Sequence, residues 1–215
     1  MNLNDLNQLI EAKRQEITEW MEKKRAEVPI PIYGSVDVRD AGWKIAVVDA
    51  NHFPAGFNNV APEDEQHLSA LLKNHINRRD EKCRWVHLYP ESHTRNAAYV
   101  ENLKTLQRLI EQAGFRCTVG SPELADHGSL AGISGPLNLD IVSLQMVNDE
   151  ESIVVNGEQP DLILLNNDLT EGIVPGLGTS RVSPPPVMGW HSRKKSHHYD
   201  CLLYTSDAAD DLLCV

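Results

Sequence analysis

The spacing of apolar residues changes period several times along the chain. Leu3, Leu6, Ile10, Ile17, Trp20 and Met21 recur at three-, four- and seven-residue steps with Glu and Lys between them, which predicts one amphipathic helix over residues 3–27. Pro29 and Pro31 end it. Its polar face mixes both signs of charge, so packing against the domain is favoured over a basic membrane anchor. Ile45, Ala46, Val47 and Val48 then form an apolar run without alternation, the mark of a strand covered on both faces, as in a parallel sheet. A helix start at Pro62–Glu65 carries Leu68, Leu71, Leu72 and Ile76 to about Arg79. Arg84–Tyr89 reads as the next strand. Tyr99, Leu103, Leu106 and Ile110 form the apolar face of another helix, stopped by Gly114, and Phe115–Val119 is a further strand. Residues 139–147 and 153–155 pair around the acidic turn NDEES, and Asp161–Leu165 returns to the buried-strand pattern.

Such alternation predicts an α/β fold, doubly wound, with a mainly parallel sheet and an N-terminal amphipathic helix. Its parallel strands are expected near 45–49, 84–89, 115–119 and 161–165. Residues 170–188 hold three glycines and four prolines and predict a mobile or wrapped loop. Gly172, Gly176 and Gly178 match neither the P-loop nor GxGxxG.

In open α/β sheets, ligands sit beyond the carboxyl ends of the strands. The first such end offers Asp49, Asn51, His52, Asn58 and Asn59 on a loop bent by Pro54 and Gly56. The loop either binds a ligand or satisfies its own backbone with its Asx groups. A second end, Glu91 to Asn96, brings Arg95 to a helix N-terminus, where an anion would also meet free N–H groups. The alternative there is that Ser92 or Thr94 caps the helix while Arg95 is solvated. Asn166, Asn167 and Asp168 close a third strand. Asp149, Glu150 and Glu151 read as a solvated turn, so no metal site is assigned.

With 215 residues and 41% hydrophobic content, the chain can build one core. A formal charge of −11 argues against nucleic-acid or anionic-membrane partners. The local exception is Arg193, Lys194 and Lys195 beside His197 and His198, a cluster suited to an anionic ligand. No apolar stretch reaches the roughly eighteen residues of a membrane span, and the start lacks the order of a signal peptide, so a cytoplasmic protein is expected. The four cysteines, Cys83, Cys117, Cys201 and Cys214, show no metal spacing and read as reduced.

Two long stretches carry a resemblance: VDVRDAGWKIAVVDANHFPAGFNN at 36–59 and GWHSRKKSHHY at 189–199. Together they resemble the proteobacterial glutamate-cysteine ligase family that is separate from the better-known gamma-glutamylcysteine synthetases. Members are roughly twice as long, so residues 1–200 correspond to an N-terminal, substrate-binding α/β part of a truncated ligase. CLLYTSDAAD at 201–210 resembles a translated sequencing-library adapter, and 201–215 is set apart as an artefactual tail.

The resemblance implies ATP-dependent joining of the glutamate side-chain carboxyl to the cysteine amine, the first step of glutathione biosynthesis. It implies ATP and Mg²⁺, with the metal site in the other half and, by analogy, an ATP-grasp module following this domain. On this reading Arg39, Arg95, Arg193, Lys194 and Lys195 hold carboxylates or phosphates. Asp49, Asn51, Asn58, Asn59 and Asn167 hold an amino group or orient the reacting atoms. No catalytic residue is assigned, and the fragment alone is expected to be nearly inactive. The competing classes are a non-catalytic α/β domain that binds a small ligand or nucleotide sugar, and a structural interaction module.

Overall fold

A computed structural model describes residues 3–28, 30–43, 45–92, 95–178 and 181–192. The chain divides into two compact units, residues 1–51 with 194–215, and residues 52–193.

In the first unit the expected single helix is two: α1 (Leu3–Ala12) and α2 (Arg14–Glu27), with the break at Lys13. The apolar stripe is not buried as expected. α2 buries no residue, and Trp20 is 58% exposed. Next come β1 (Ser35–Asp40) and β2 (Ile45–Asn51), which pair only with each other, antiparallel. The strand expected at 45–49 therefore lies outside the parallel sheet, and its carboxyl end is not a parallel strand end. The physical reason is legible in VDVRDAG. Val36 and Val38 alternate with Asp37 and Arg39, the period of a half-covered strand. Gly42, at φ +81°, closes a turn in which its N–H donates to Asp40 Oδ1 at 2.7 Å.

The second unit opens with 3₁₀ turns at Phe57–Asn59 and Pro62–Asp64 and with α3 (Glu65–Arg79), followed by β3 (Trp85–Pro90), α4 (Ala97–Gln112) and β4 (Arg116–Val119). Two antiparallel hairpins follow, β5 (Ser129–Gly132) with β6 (Gly135–Asn138) and β7 (Val142–Val147) with β8 (Glu150–Val155). The chain then enters β9 (Leu162–Asn166) and the two-residue β10 (Val182–Ser183). β5, and β10 within the Gly/Pro-rich stretch, are too short to register as periodic patterns.

β3, β4, β9 and β10 form one parallel sheet in the order β10-β9-β3-β4. One face, with Trp85, Tyr89, Ile163, Leu165 and Val182, is covered by Val142, Ile153 and Val155 of the β7–β8 hairpin and by Leu169 and Leu177. The alternate residues Val86, Leu88, Leu162 and Leu164 are equally buried, on the side that takes α4. α3 lies against α4, joined by Arg108 to Glu65 and by Ser69 Oγ to Gln112 Oε1 at 3.1 Å. The 170–178 stretch is wrapped onto this core by Leu177, which is fully buried.

His87 is also fully buried. Its Nε2 lies 3.0 Å from Gly120 O, which can only accept, so Nε2 carries the proton. Thr118 Oγ1 accepts from Trp85 Nε1 at 2.8 Å and donates to His87 Nδ1 at 2.9 Å. Burial pushes this imidazole down to about 4, so it is neutral at pH 7.

Candidate functional site

β3 and β9 are neighbours, yet from β3 the chain leaves through α4 to β4 on one side, while β9 leads to β10 on the other. Their carboxyl ends thus flank a topological switch point, the place where an open sheet leaves a crevice. The register sets Pro90 opposite Asn166 at its floor.

A chain of buried amides fixes that floor. Asn166 Nδ2 donates to Pro54 O at 2.9 Å, and its Oδ1 accepts from Asn102 Nδ2 at 3.2 Å. Asn102 Oδ1 in turn accepts from Phe57 N at 2.9 Å. Tyr99 OH donates to Asn166 O at 2.8 Å and accepts from Glu91 N at 2.9 Å. Every link is satisfied, so the network locks the 54–57 loop and the start of the β3–α4 connection onto the end of β9. Asn167 clips the same two strand ends: its Nδ2 donates to Pro90 O at 3.2 Å and its Oδ1 accepts from Leu169 N at 2.9 Å. Asp168 Oδ1 accepts from Thr170 Oγ1 at 2.6 Å, and Asp168 O receives Trp190 N at 2.9 Å. His191 Nδ1 donates to Leu169 O at 3.1 Å. The 189–192 segment is therefore held beside the exit of β9.

The helix N-terminus differs from expectation. Asn96, not Ser92 or Thr94, caps α4, its Oδ1 accepting from Ala98 N at 3.1 Å and Tyr99 N at 3.2 Å. Two of the N–H groups that an anion would have used are thus engaged by the chain itself. Arg95 stands exposed just before the cap. Asn58 and Asn59 are exposed on the 3₁₀ turn Phe57–Asn59, 3.4 Å apart from Asn58 Nδ2 to Asn59 Oδ1. Of the other residues singled out, Arg39, Asp49 and Asn51 lie on the β1–β2 hairpin. Arg39 is exposed opposite Ala46, Asp49 Oδ1 accepts from Ala50 N at 2.9 Å, and Asn51 faces Ser35. Arg193, Lys194 and Lys195 lie outside the described residues, as does the 201–215 tail.

Sequence reasoning missed Asn102, although a signal existed: a carboxamide at the third position after Tyr99 sits on an otherwise apolar helical stripe. Beside the switch point, Tyr89 OH donates to both carboxylate oxygens of Glu123, at 3.0 and 2.9 Å. Burial, then that carboxylate, pushes the phenol far above its usual range, so it stays a donor.

Two cavities among the described residues lie away from the crevice. A cavity of about 310 Å³ sits between the β7–β8 hairpin and Gly176, and one of about 490 Å³ lies along α3 near Ser69 and Gln112. Neither is lined by residues at the carboxyl ends of β3 and β9. Chemistry at the crevice is better judged from its convergent, fixed polar groups than from its depth, because an exposed rim leaves it open on one side. Among the described residues no three His, Cys, Asp or Glu side chains converge as a metal site. At Gly176 protein already fills the approach that a phosphate would need, since a Cβ there would meet Leu144 Cδ2 at 2.8 Å and Ile153 N at 3.1 Å.

Comparison with known proteins adds two findings. A family model described as glutamate-cysteine ligase matches residues 7–211. The fold matches the crystal structure of a provisionally assigned gamma-glutamylcysteine synthetase from Methylobacillus flagellatus KT, with a TM-score of 0.75 and 32% identity. That likeness covers 90% of this chain and 46% of the other, so the chain spans under half of that protein's length. A search of curated proteins finds no match. No helix among the described residues is long and apolar enough to cross a membrane.

Proposed function

The chain belongs to the glutamate-cysteine ligase family, and from that premise we propose that it is the substrate-binding wall of an enzyme that joins the side-chain carboxyl of glutamate to the amine of cysteine at the expense of ATP. The observation that carries this reading is the locked crevice at the ends of β3 and β9. Its rim offers both signs of charge, Arg95 on one connection and Asp168 on the other, which suits a zwitterionic amino acid. Arg95 would take a carboxylate, and Asp168 the ammonium group. Asn167 would hold the strand ends in register beneath the substrate, while Asn58 and Asn59 edge the rim.

Among the described residues no donor set converges for Mg²⁺, and at Gly176 protein fills the approach that a nucleotide phosphate would need. We therefore assign ATP and Mg²⁺ to the remaining part of the longer family protein and route no step through them here. Amide formation needs both amino acids and the nucleotide held together away from water. A chain supplying one wall of that site should bind glutamate but turn over little.

The test measures glutamate binding by calorimetry, and phosphate release dependent on glutamate, cysteine and ATP, for this protein and the Methylobacillus protein side by side. Glutamate should bind this chain without turnover. Arg95→Gln should weaken that binding about ten-fold or more, the worth of a charge-assisted hydrogen bond. Binding unchanged by Arg95→Gln removes the carboxylate assignment, and turnover by this chain equal to that of the longer protein removes the division of labour.

A further inference from the structure

Among the described residues, most of the large apolar side chains that are exposed fall within the first 51, whereas those of the 52–193 unit are fewer, with Leu144 and Met146 two apart on β7 and the others spread along the chain. The β1–β2 hairpin concentrates them. Its register sets Val38 against Val47 and places Val36 and Ile45 two residues further along the same face. These four are 36–57% exposed, and Trp43 in the turn is 67% exposed. The opposite face carries Asp37 and Arg39, while Asp40, paired with Ile45, places one carboxylate at the end of the apolar face. That is the apolar-in, polar-out pattern of a sheet with one buried face. Yet the hairpin is a two-stranded sheet by itself, and such a sheet is marginal in water unless something packs on it.

We propose that the Val36/Val38/Ile45/Val47 face is a docking surface for the part of the longer family polypeptide that this chain does not match. The length of that polypeptide supports this occupant: the Methylobacillus chain continues well beyond the 46% that is shared. A contiguous apolar face written into one segment is what an interface with a further domain requires. The inference rests on family membership alone and stands whether or not the ligase reading holds.

Backbone hydrogen exchange tests it on both proteins as they exist. Amides of residues 35–51 should exchange rapidly in this chain, and those of the matched hairpin at least about a hundred-fold more slowly in the complete Methylobacillus protein. Equal rates in the two would overturn the proposal. Sedimentation of this chain supplies the second measurement. It should remain monomeric, and a concentration-dependent dimer abolished by Val38→Asp with Val47→Asp would give the face to a second copy and overturn the assignment.

Discussion

Asn102 and Asn166 join side chain to side chain at 3.2 Å inside the protein, and through that bond α4, the end of β9 and the 54–57 loop become one unit. Replacing Asn102 by Leu would remove the bond from Phe57 N and the one to Asn166 Oδ1 in a buried place. The expected cost is about 2–4 kcal/mol, read as a lower urea midpoint with an unchanged slope. A loss under about 0.5 kcal/mol would mean that water replaces the amide without strain.

His87 gives stability a pH dependence of known sign. In the folded state its pKa lies at about 4, below the 6.5 of a free imidazole, so the unfolded chain binds the proton more readily. Stability is unaffected above pH 6.5 and falls as pH drops from there towards 4. The full effect is on the order of 3 kcal/mol. His75, lowered by burial and by Arg79 and Arg78, acts in the same direction. The difference between the native protein and His87→Gln, followed by urea unfolding from pH 7.5 to 4.5, isolates the His87 share; parallel curves would contradict it.

Burial, then Asp161, raises the Cys83 thiol to about 11, and burial, then Glu111, raises Cys117 higher still. Neither carries appreciable thiolate at pH 8, where a free cysteine reacts readily. Alkylation of the native protein followed by peptide mass mapping should find both unmodified until denaturant is added. Rapid native labelling of either would show that its surroundings open.

Gly176 and Gly178 stand two residues apart and should respond differently. Gly176 has φ +83° and its space is filled, so Gly176→Ala should cost about 2 kcal/mol or more by strain and by lifting Leu177 from the core. Nothing lies within 4 Å of a Cβ on Gly178, and Gly178→Ala should stay within about 0.5 kcal/mol. Thermal unfolding of the two variants decides the matter.

The helices and central strands were legible because α3, α4, β3, β4 and β9 each carry a periodic or continuous apolar pattern long enough to read. The misplacement of 45–49 came from weighing the run Ile45–Val48 alone, without the alternation of its partner Val36–Arg39. Much of the site could not be read locally. Asn102 and Asn166 meet across 64 positions, a contact that no window of sequence contains. The α4 cap was misassigned because Ser92, Thr94 and Asn96 all suit the role, and only the backbone path decides among them.

Asp161 ties the start of β9 to β3, its Oδ2 accepting Arg84 N at 2.8 Å and Trp85 N at 3.0 Å. Those bonds span 77 and 76 positions, whereas β3 reaches β4 through a single helix. Closing so long a loop loses chain entropy before the strand pairing returns any stability. The β3–α4–β4 piece is therefore expected to assemble first during synthesis, leaving the edge of β3 that takes β9 unfilled until β9 has been made. That interval is when the nascent chain is open to pairing with a wrong strand.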